Sequence, residues 1–226
     1  MNYILVDVPE FWEYGEETGI LLFTLSTSFV AAFLFYLLDI WLPNKEKQDI
    51  LKLRLSKPLN KILVNMIAPL IGLLILSPKS NITINRIVSL SKEDLEELLS
   101  EIDLFNDRNS KYFFDDWRDE KVIEYLLSFL ANCNRLVDQV NILPNVDFDL
   151  LMILDKIKYS DYNEALEEQR YFYSLSVDER GGVSGIVLTE GILEYVQLFE
   201  ELKKYMIDND IEITFDKIPI IEYMME

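Results

Sequence analysis

The chain has 226 residues, a net charge of −19 and no histidine. This length is sufficient for one membrane segment and one soluble domain of ordinary size. The acidic excess argues against a nucleic-acid partner, which requires a basic surface, and the lack of histidine removes the commonest general base and metal ligand.

The charge is distributed unevenly along the chain. Residues 1–17 hold five acids and no base, residues 43–61 hold six bases and two acids, and residues 79–226 hold 32 acids and 15 bases. The strong negative charge of the last segment argues against its lying flat on anionic lipid. These differences predict a short acidic N-terminal tail, a basic segment and an acidic soluble domain.

An apolar run near the N-terminus predicts a transmembrane helix over residues 18–42. Residues 19–38 contain no charge, and twenty helical residues cover about 30 Å, the thickness of a hydrocarbon core. Pro43 is predicted to end this helix. A cleaved signal peptide would instead begin with bases and have a shorter apolar run. Amphipathic rings, expected at membrane interfaces, flank the run: Trp12, Tyr14, Tyr36 and Trp41.

Six bases follow the apolar run and predict its orientation in the cell membrane. No base precedes the run, so the positive-inside rule places residues 43–61 in the cytoplasm and the N-terminus outside. Asp39 lies at the cytoplasmic end of the predicted span, where it can reach water and be neutralised by Lys45 or Lys47. The six bases are Lys45, Lys47, Lys52, Arg54, Lys57 and Lys61.

A second apolar stretch, residues 62–78, allows more than one interpretation. Its length is at the lower limit for a span, and Asn65, Pro69 and Gly72 interrupt it. A second span would create a two-helix hairpin and place the soluble domain outside. A helix that lies at the interface, or packs against the first helix, would leave that domain in the cytoplasm.

The acidic domain, residues 79–226, is predicted to be α-helical. Ser91 and Asp94 resemble a helix-capping pair, and apolar residues follow at helical spacing. Leu130 and Phe199 lie on apolar stripes and are predicted to be buried. The remaining predicted helices cover residues 117–143, 148–157, 162–175 and 189–208. The less regular segments are a loop over residues 178–185 and apolar runs with an extended pattern at residues 82–90 and 211–215.

Several apolar motifs resemble a family of bacterial membrane proteins whose activity is uncharacterised. The N-terminal motifs are LSTSF at residues 25–29, FY at 35–36 and LPNK at 42–45. A late helix rich in Tyr and Leu is similar to residues 193–205 (LEYVQLFEELKKY). The resemblance covers most of the chain. It implies one N-terminal membrane helix and a cytoplasmic helical domain, and it implies no activity.

The residues that suggest chemistry have simpler structural interpretations. Cys133 is alone, so it forms neither an internal disulfide nor a thiolate zinc site, and its place on an apolar stripe predicts a buried thiol. The glycine-rich residues 181–185 lack the lysine of a phosphate loop and are predicted to be a turn. Acid pairs at residues 115–116, 119–120 and 167–168 offer oxygen ligands for Mg²⁺ or Ca²⁺, but solvated helix faces are the favoured interpretation. We therefore expect no cofactor and no metal.

One face of the predicted membrane helix is suited to helix packing. Thr24, Ser28 and Ala32 recur at i, i+4 and i+8, so they share a face. Small side chains allow close approach of another helix, and hydroxyls can form hydrogen bonds across the gap. Alternatively, both hydroxyls bond to carbonyls of their own helix and face lipid. The packing partner would be residues 62–77 or a second copy.

These observations predict a non-enzymatic membrane protein whose helical domain binds a protein partner or oligomerises. The prediction depends on the lack of a catalytic constellation. The alternative is a membrane-permeabilising or channel-like effector, such as a toxin or a phage-defence component, which the two apolar stretches suggest. In both cases the bilayer is one partner and nucleic acid is not.

Overall fold

The computed structural model describes residues 15–76, 90–105, 121–175 and 182–214. Of these residues, 84% are helical and none lies in a β-strand, which confirms the mostly α-helical class. The α-helices are α1 (Gly15–Phe35), α2 (Leu42–Leu76), α3 (Lys92–Ser100), α4 (Val122–Asn141), α5 (Phe148–Lys158), α6 (Asp161–Ser174) and α7 (Thr189–Asp208). A π-helical segment (Tyr36–Trp41) joins α1 to α2, and a 3₁₀ turn (Gly185–Leu188) precedes α7.

The prediction that Pro43 ends the first helix is wrong. The backbone N–H of Leu42 donates to the carbonyl of Leu37, five residues back, so the hydrogen-bond register changes before the proline. Pro43 therefore falls in the first turn of α2, where a missing N–H is tolerated. The helix continues to Leu76 and contains Pro58 and Pro69 in its interior.

The chain divides into two compact units, Met1–Ile50 and Leu51–Glu226. The described part of the first unit is α1, the π-helical segment and the start of α2. The second unit contains the rest of α2 and all later helices. The acidic helical domain predicted for residues 79–226 thus belongs to a compact unit that also includes residues 51–76.

The second apolar stretch forms part of the core of the second unit. Ile62, Leu63, Met66 and Ile67 have no exposed surface, and the core cluster also contains residues of α3 to α7. A helix with this degree of burial is covered by protein. No described residue between 15 and 76 leaves the helical state, so the structure offers no support for a two-helix hairpin.

Two of the residues that interrupt the apolar stretch have local explanations: Gly72 faces α4, and Asn65 bonds within α2. The hydroxyl of Tyr125 donates to the carbonyl oxygen of Ala68 at 3.2 Å. A Cβ atom at Gly72 would lie 2.6 Å from that same hydroxyl oxygen, so glycine leaves the room that the ring requires. Asn65 satisfies its amide on its own helix by donating to the carbonyl of Lys61 at 2.7 Å.

Polar N-caps set the starts of three helices, and the one at Ser91 confirms the predicted capping pair. The hydroxyl of Ser91 accepts from the N–H of Asp94 at 3.2 Å, and the carboxylate of Asp147 accepts from the N–H of Leu150 at 2.9 Å. Ser160 caps α6 in the same way. The bounds of α5, α6 and α7 agree with the predicted helices to within one residue at each end.

Other predicted segments agree less well or fall outside the described residues. Helix α4 begins at Val122, and the predicted residues 117–120 lie outside the described part of the chain. The apolar run at residues 82–89 also lies outside it. Residues 211–214 belong to no strand.

Asn60 binds the segment after α7 to α2. Its side chain is 94% buried and its Nδ2 donates to the carbonyls of Ser56 and Glu212, both at 2.7 Å. Its Oδ1 accepts from the backbone N–H of Thr214 at 2.6 Å. One buried amide therefore satisfies backbone groups of a segment that has no strand partner.

We expect Asn60→Ala to lower the free energy of unfolding by about 1–3 kcal/mol, because it leaves buried backbone groups without partners. Amide hydrogen exchange at Thr214 should also become faster, and exchange measured by NMR or mass spectrometry tests this. Asn65→Ala is the matched control, because its amide bonds only to its own helix in the described structure. Equal exchange at Thr214 in the parent and in Asn60→Ala would contradict the role of the amide.

The predicted burial of Leu130 and Phe199 is confirmed, with 4% and 2% of their surfaces exposed. Truncation of either residue to alanine should lower the free energy of unfolding by about 2–5 kcal/mol, because it removes buried apolar surface and leaves a cavity. Denaturant unfolding of the detergent-solubilised chain measures the loss. Leu53→Ala and Phe148→Ala are matched controls, because those side chains are 77% and 72% exposed. Equal losses in buried and exposed variants would show that the helix faces are misassigned.

Candidate membrane anchor and helix-packing face

The apolar surface of α1 is not covered by the described chain. Phe23 and Phe29 are 70% and 74% exposed, and the other large apolar residues of α1 are also exposed. The described residues contain one helix that is long and apolar enough to cross a membrane, residues 17–73, and its most apolar window is entirely exposed. An exposed apolar surface of this size is typical of a segment that contacts lipid or another protein.

The predicted packing face lies on this exposed surface. Thr24, Ser28 and Ala32 are all exposed in the single chain. The hydroxyl of Thr24 donates to the carbonyl of Ile20 at 2.8 Å, so this residue bonds to its own helix. Thr27, on a neighbouring face, does the same with Phe23 at 2.9 Å. The side chains of this face are small and permit close approach of another helix. The Thr24 hydroxyl already has a hydrogen-bond acceptor within its own helix. Its packing against another helix stays a prediction.

The π-helical segment contains both an acid and the aromatic residue at the end of the apolar run. Asp39 is exposed, and no ion pair joins it to a described residue. The ammonium of Lys45 lies 5.1 Å from the centre of the Trp41 ring, at cation–π distance. Lys45, one of the two bases predicted to neutralise Asp39, therefore contacts the Trp41 ring and forms no ion pair with that carboxylate.

The reactive side chains of the second unit are sealed inside its core. Cys133 is fully buried, as predicted, and the hydroxyl of Tyr195 donates to its Sγ at 3.6 Å. The rings of Tyr195 and Tyr162 stack with centroids 4.6 Å apart. Burial raises the pKa of the Cys133 thiol to about 11, and it also raises the pKa of both tyrosines. A neutral thiol without solvent access is not a nucleophile.

The end of the glycine-rich segment pairs with the residues after α3. The N–H of Leu104 donates to the carbonyl of Val183, and the N–H of Gly185 donates to the carbonyl of Ile102, both at 2.8 Å. A Cβ atom at Gly182 would lie 2.7 Å from a carboxylate oxygen of Asp103. The glycine therefore permits close approach to an acid, which would repel a phosphate. Gly181 lies outside the described residues.

The acid pairs do not form a metal site in the part of the chain that the structure describes. No three groups of His, Cys, Asp or Glu lie close enough there to hold an ion. Glu167 instead pairs with Arg170 at 3.2 Å. The pairs at residues 115–116 and 119–120 lie outside the described ranges.

No protein-family model matches the chain, and neither does any curated protein or solved structure. The family resemblance therefore depends on the motifs themselves. The structure places the N-terminal motifs on α1, on the π-helical segment and at the start of α2, and the late motif within α7. In α7 the apolar positions of that motif, such as Tyr195 and Leu202, are core residues.

The Cys133 thiol predicts a specific pH dependence of stability. Its pKa rises from 9.0 to about 11 on folding, so its contribution is complete below pH 9 and is lost as the pH rises toward 11. In that window the free energy of unfolding should fall by up to about 1.4 kcal/mol per pH unit from this group.

In Cys133→Ala, the free energy of unfolding should fall less steeply between pH 9 and pH 11. The variant removes only the thiol and retains both tyrosines. Urea unfolding at a series of pH values measures the two slopes. Identical alkaline slopes in the parent and the variant would contradict the burial of the thiol.

The small face of α1 predicts where copies of the helix cross-link in a membrane. Single cysteines at positions 24, 28 and 32 should cross-link, whereas cysteines at Phe29 and Phe33 should not. Ser28→Ile should abolish contact because a branched side chain prevents close approach, and Phe29→Leu is the control on the bulky side. Cross-links centred on positions 29 and 33 alone would show that the opposite face packs.

Proposed function

We propose that the chain is a membrane-anchored, non-enzymatic protein whose helical second unit binds a protein partner or another copy of itself. The observation that carries this proposal is the contrast between the two units. The first presents an uncovered apolar helix, and the second has a closed core in which Cys133, Tyr162 and Tyr195 are inaccessible. The second unit presents a charged helical surface to its surroundings. Such a surface suits recognition of a protein.

The proposed placement puts the N-terminus outside the cell membrane and the second unit in the cytoplasm. Support comes from the basic segment, residues 43–61, which the positive-inside rule keeps in the cytoplasm. Residues 62–73 are used by the core of the second unit, which leaves α1 as the segment available to cross. With one crossing, the second unit stays on the same side as the basic segment.

Association in mild detergent tests the proposed role. We expect the full chain, purified without strong denaturants, to migrate in light-scattering chromatography as a complex larger than one copy or with a bound protein. Recovery of the lone 26.6 kDa monomer at every concentration, together with no cross-links in membranes, would overturn the proposal.

The channel-like effector is the alternative proposal, and a membrane-potential dye discriminates between the two. An effector should collapse the potential when its expression is induced. A membrane-anchored interaction protein should leave both the potential and growth unchanged. The burial of residues 62–73 removes one of the two apolar stretches that suggest an effector.

The proposed orientation predicts the accessibility of a thiol placed at position 44. Asn44→Cys should resist an impermeant maleimide in intact cells and react after permeabilisation, because moving six bases outward opposes the positive-inside bias. The native Cys133 is fully buried, so it contributes little background labelling in the folded chain. Rapid labelling of position 44 in intact cells would reverse the orientation.

A further inference from the structure

A basic stripe runs along the outer face of α2 within the second unit. Arg54, Lys57 and Lys61 recur at i, i+3 and i+7, so they share one face of the helix, and all three are exposed. Leu55 and Leu59 face the core from the other side. Leu53, at the N-terminal end of the stripe, is 77% exposed. The basic stripe is therefore three bases beside one uncovered apolar side chain.

These three bases differ from five other described bases of the second unit, each of which pairs with an acid. None of them forms an ion pair with a residue that the structure describes, although residues 79–226 hold more than twice as many acids as bases. The pairs that other bases make within the unit are Lys52 with Asp210, Lys92 with Glu190, Lys156 with Glu201, Lys158 with Asp138 and Arg170 with Glu167.

An acidic stripe with the same spacing lies on the outer face of α6. Asp161, Glu164 and Glu168 recur at i, i+3 and i+7, and all three are exposed. No ion pair joins their carboxylates to a described residue. Two aromatic side chains, Tyr171 and Phe172, follow at the C-terminal end and are 65% and 41% exposed.

The two stripes have equal length and can pair when the helices are antiparallel, with the middle pair offset by one residue, or about 1.5 Å. Arg54 then faces Glu168, Lys57 faces Glu164, and Lys61 faces Asp161. The exposed Leu53 meets Tyr171 and Phe172 at the end of the contact. Both charge and apolar surface are thus complementary along the same two helical turns.

We propose that α2 of one copy docks antiparallel on α6 of a second copy, with the basic stripe of the first against the acidic stripe of the second. This inference rests on the proposed function and names its partner as a second copy of this chain. The occupant is argued from charge complementarity: the same chain carries the matching acidic stripe at the same spacing. Anionic lipid is the competing occupant, because a basic segment beside a membrane helix attracts it; the acidic excess of the rest of the unit favours a second copy.

The proposed contact has the properties of a weak interface that a membrane strengthens. One face of each of two helices falls among the small interfaces, below about 1,200 Å². Confinement of both copies to one membrane raises their effective concentration. Because the stripes are exposed, salt should weaken the contact as the Debye length falls from about 10 Å at 0.1 M to about 3 Å at 1 M. Two copies related by a two-fold axis can make this contact twice, and without such an axis successive copies form a ring or an open row.

Two charge-reversal variants of the full chain test the contact. The first variant reverses the basic stripe (Arg54→Glu, Lys57→Glu, Lys61→Glu), and the second reverses the acidic stripe (Asp161→Lys, Glu164→Lys, Glu168→Lys). Energy transfer between labelled copies in vesicles of phosphatidylcholine, at about 0.1 M salt, measures association. Arg135→Glu with Lys204→Glu is the control for the basic-stripe variant, because it also makes the chain more negative, at exposed positions outside both stripes.

We expect each variant alone to lose self-association, and a mixture of the two variants to recover association. Each reversed chain should associate roughly tenfold or more weakly than the parent, because its two stripes then repel. An equimolar mixture should recover association, because the reversed stripes are complementary to each other. Recovery also shows that both variants are folded, so the result does not depend on their individual stability.

Three outcomes would overturn the docking proposal, and they separate it from the proposed function. If both variants associate as the parent does, the stripes are not the interface, while self-association and the proposed function stand. If the parent associates only when phosphatidylserine is added, and the acidic-stripe variant behaves as the parent, the occupant is lipid. If the parent does not associate in either membrane and carries no protein partner, both proposals fail.

Discussion

Burial of the apolar face of α2 within the second unit is the constraint on which the proposed topology depends. Leu59, Ile62, Leu63, Met66 and Ile67 have no exposed surface, and each such side chain contributes about 1.5–3 kcal/mol when it is buried. Insertion of this stretch into lipid would remove these side chains from the core formed with α3 to α7. The burial of this stretch therefore supports the proposal of a single crossing.

The same helix shows why apolar content alone does not identify a membrane segment. Asn65 and Gly72 interrupt an apolar run, but each has a local reason within a protein core. The amide of Asn65 bonds to its own helix, and Gly72 makes room for the Tyr125 ring, whose hydroxyl bonds to the carbonyl of Ala68. In α1, by contrast, the large apolar residues are exposed in the part of the chain that the structure describes.

Local signals in the sequence are sufficient to predict much of the fold. The caps at Asp147 and Ser160 and the apolar periodicity of α7 fix helix bounds, because these effects act within one or two turns. Non-local contacts are not predictable in this way. The bonds of Asn60 to residues 212–214 join positions far apart in the chain, and hydropathy cannot distinguish a lipid environment from a protein core.

The candidate surfaces also differ in how far the sequence alone predicts them. The spacing of Thr24, Ser28 and Ala32 is visible in the sequence because it depends only on helical periodicity. The spacing of the basic and acidic stripes is equally local, but their significance requires the structure. Only the three-dimensional arrangement shows that these charges are exposed, and that five other described bases of the second unit already have acidic partners.

The central claim is that the chain crosses the membrane once, with residues 62–73 in a protein core. Reporter fusions placed after residue 50 and after residue 226 test this most directly, because each reports the side of the membrane on which it lies. A single crossing by α1 predicts that both reporters lie on the same side. Reporters on opposite sides would mean that residues 62–78 cross the bilayer, which would contradict the account.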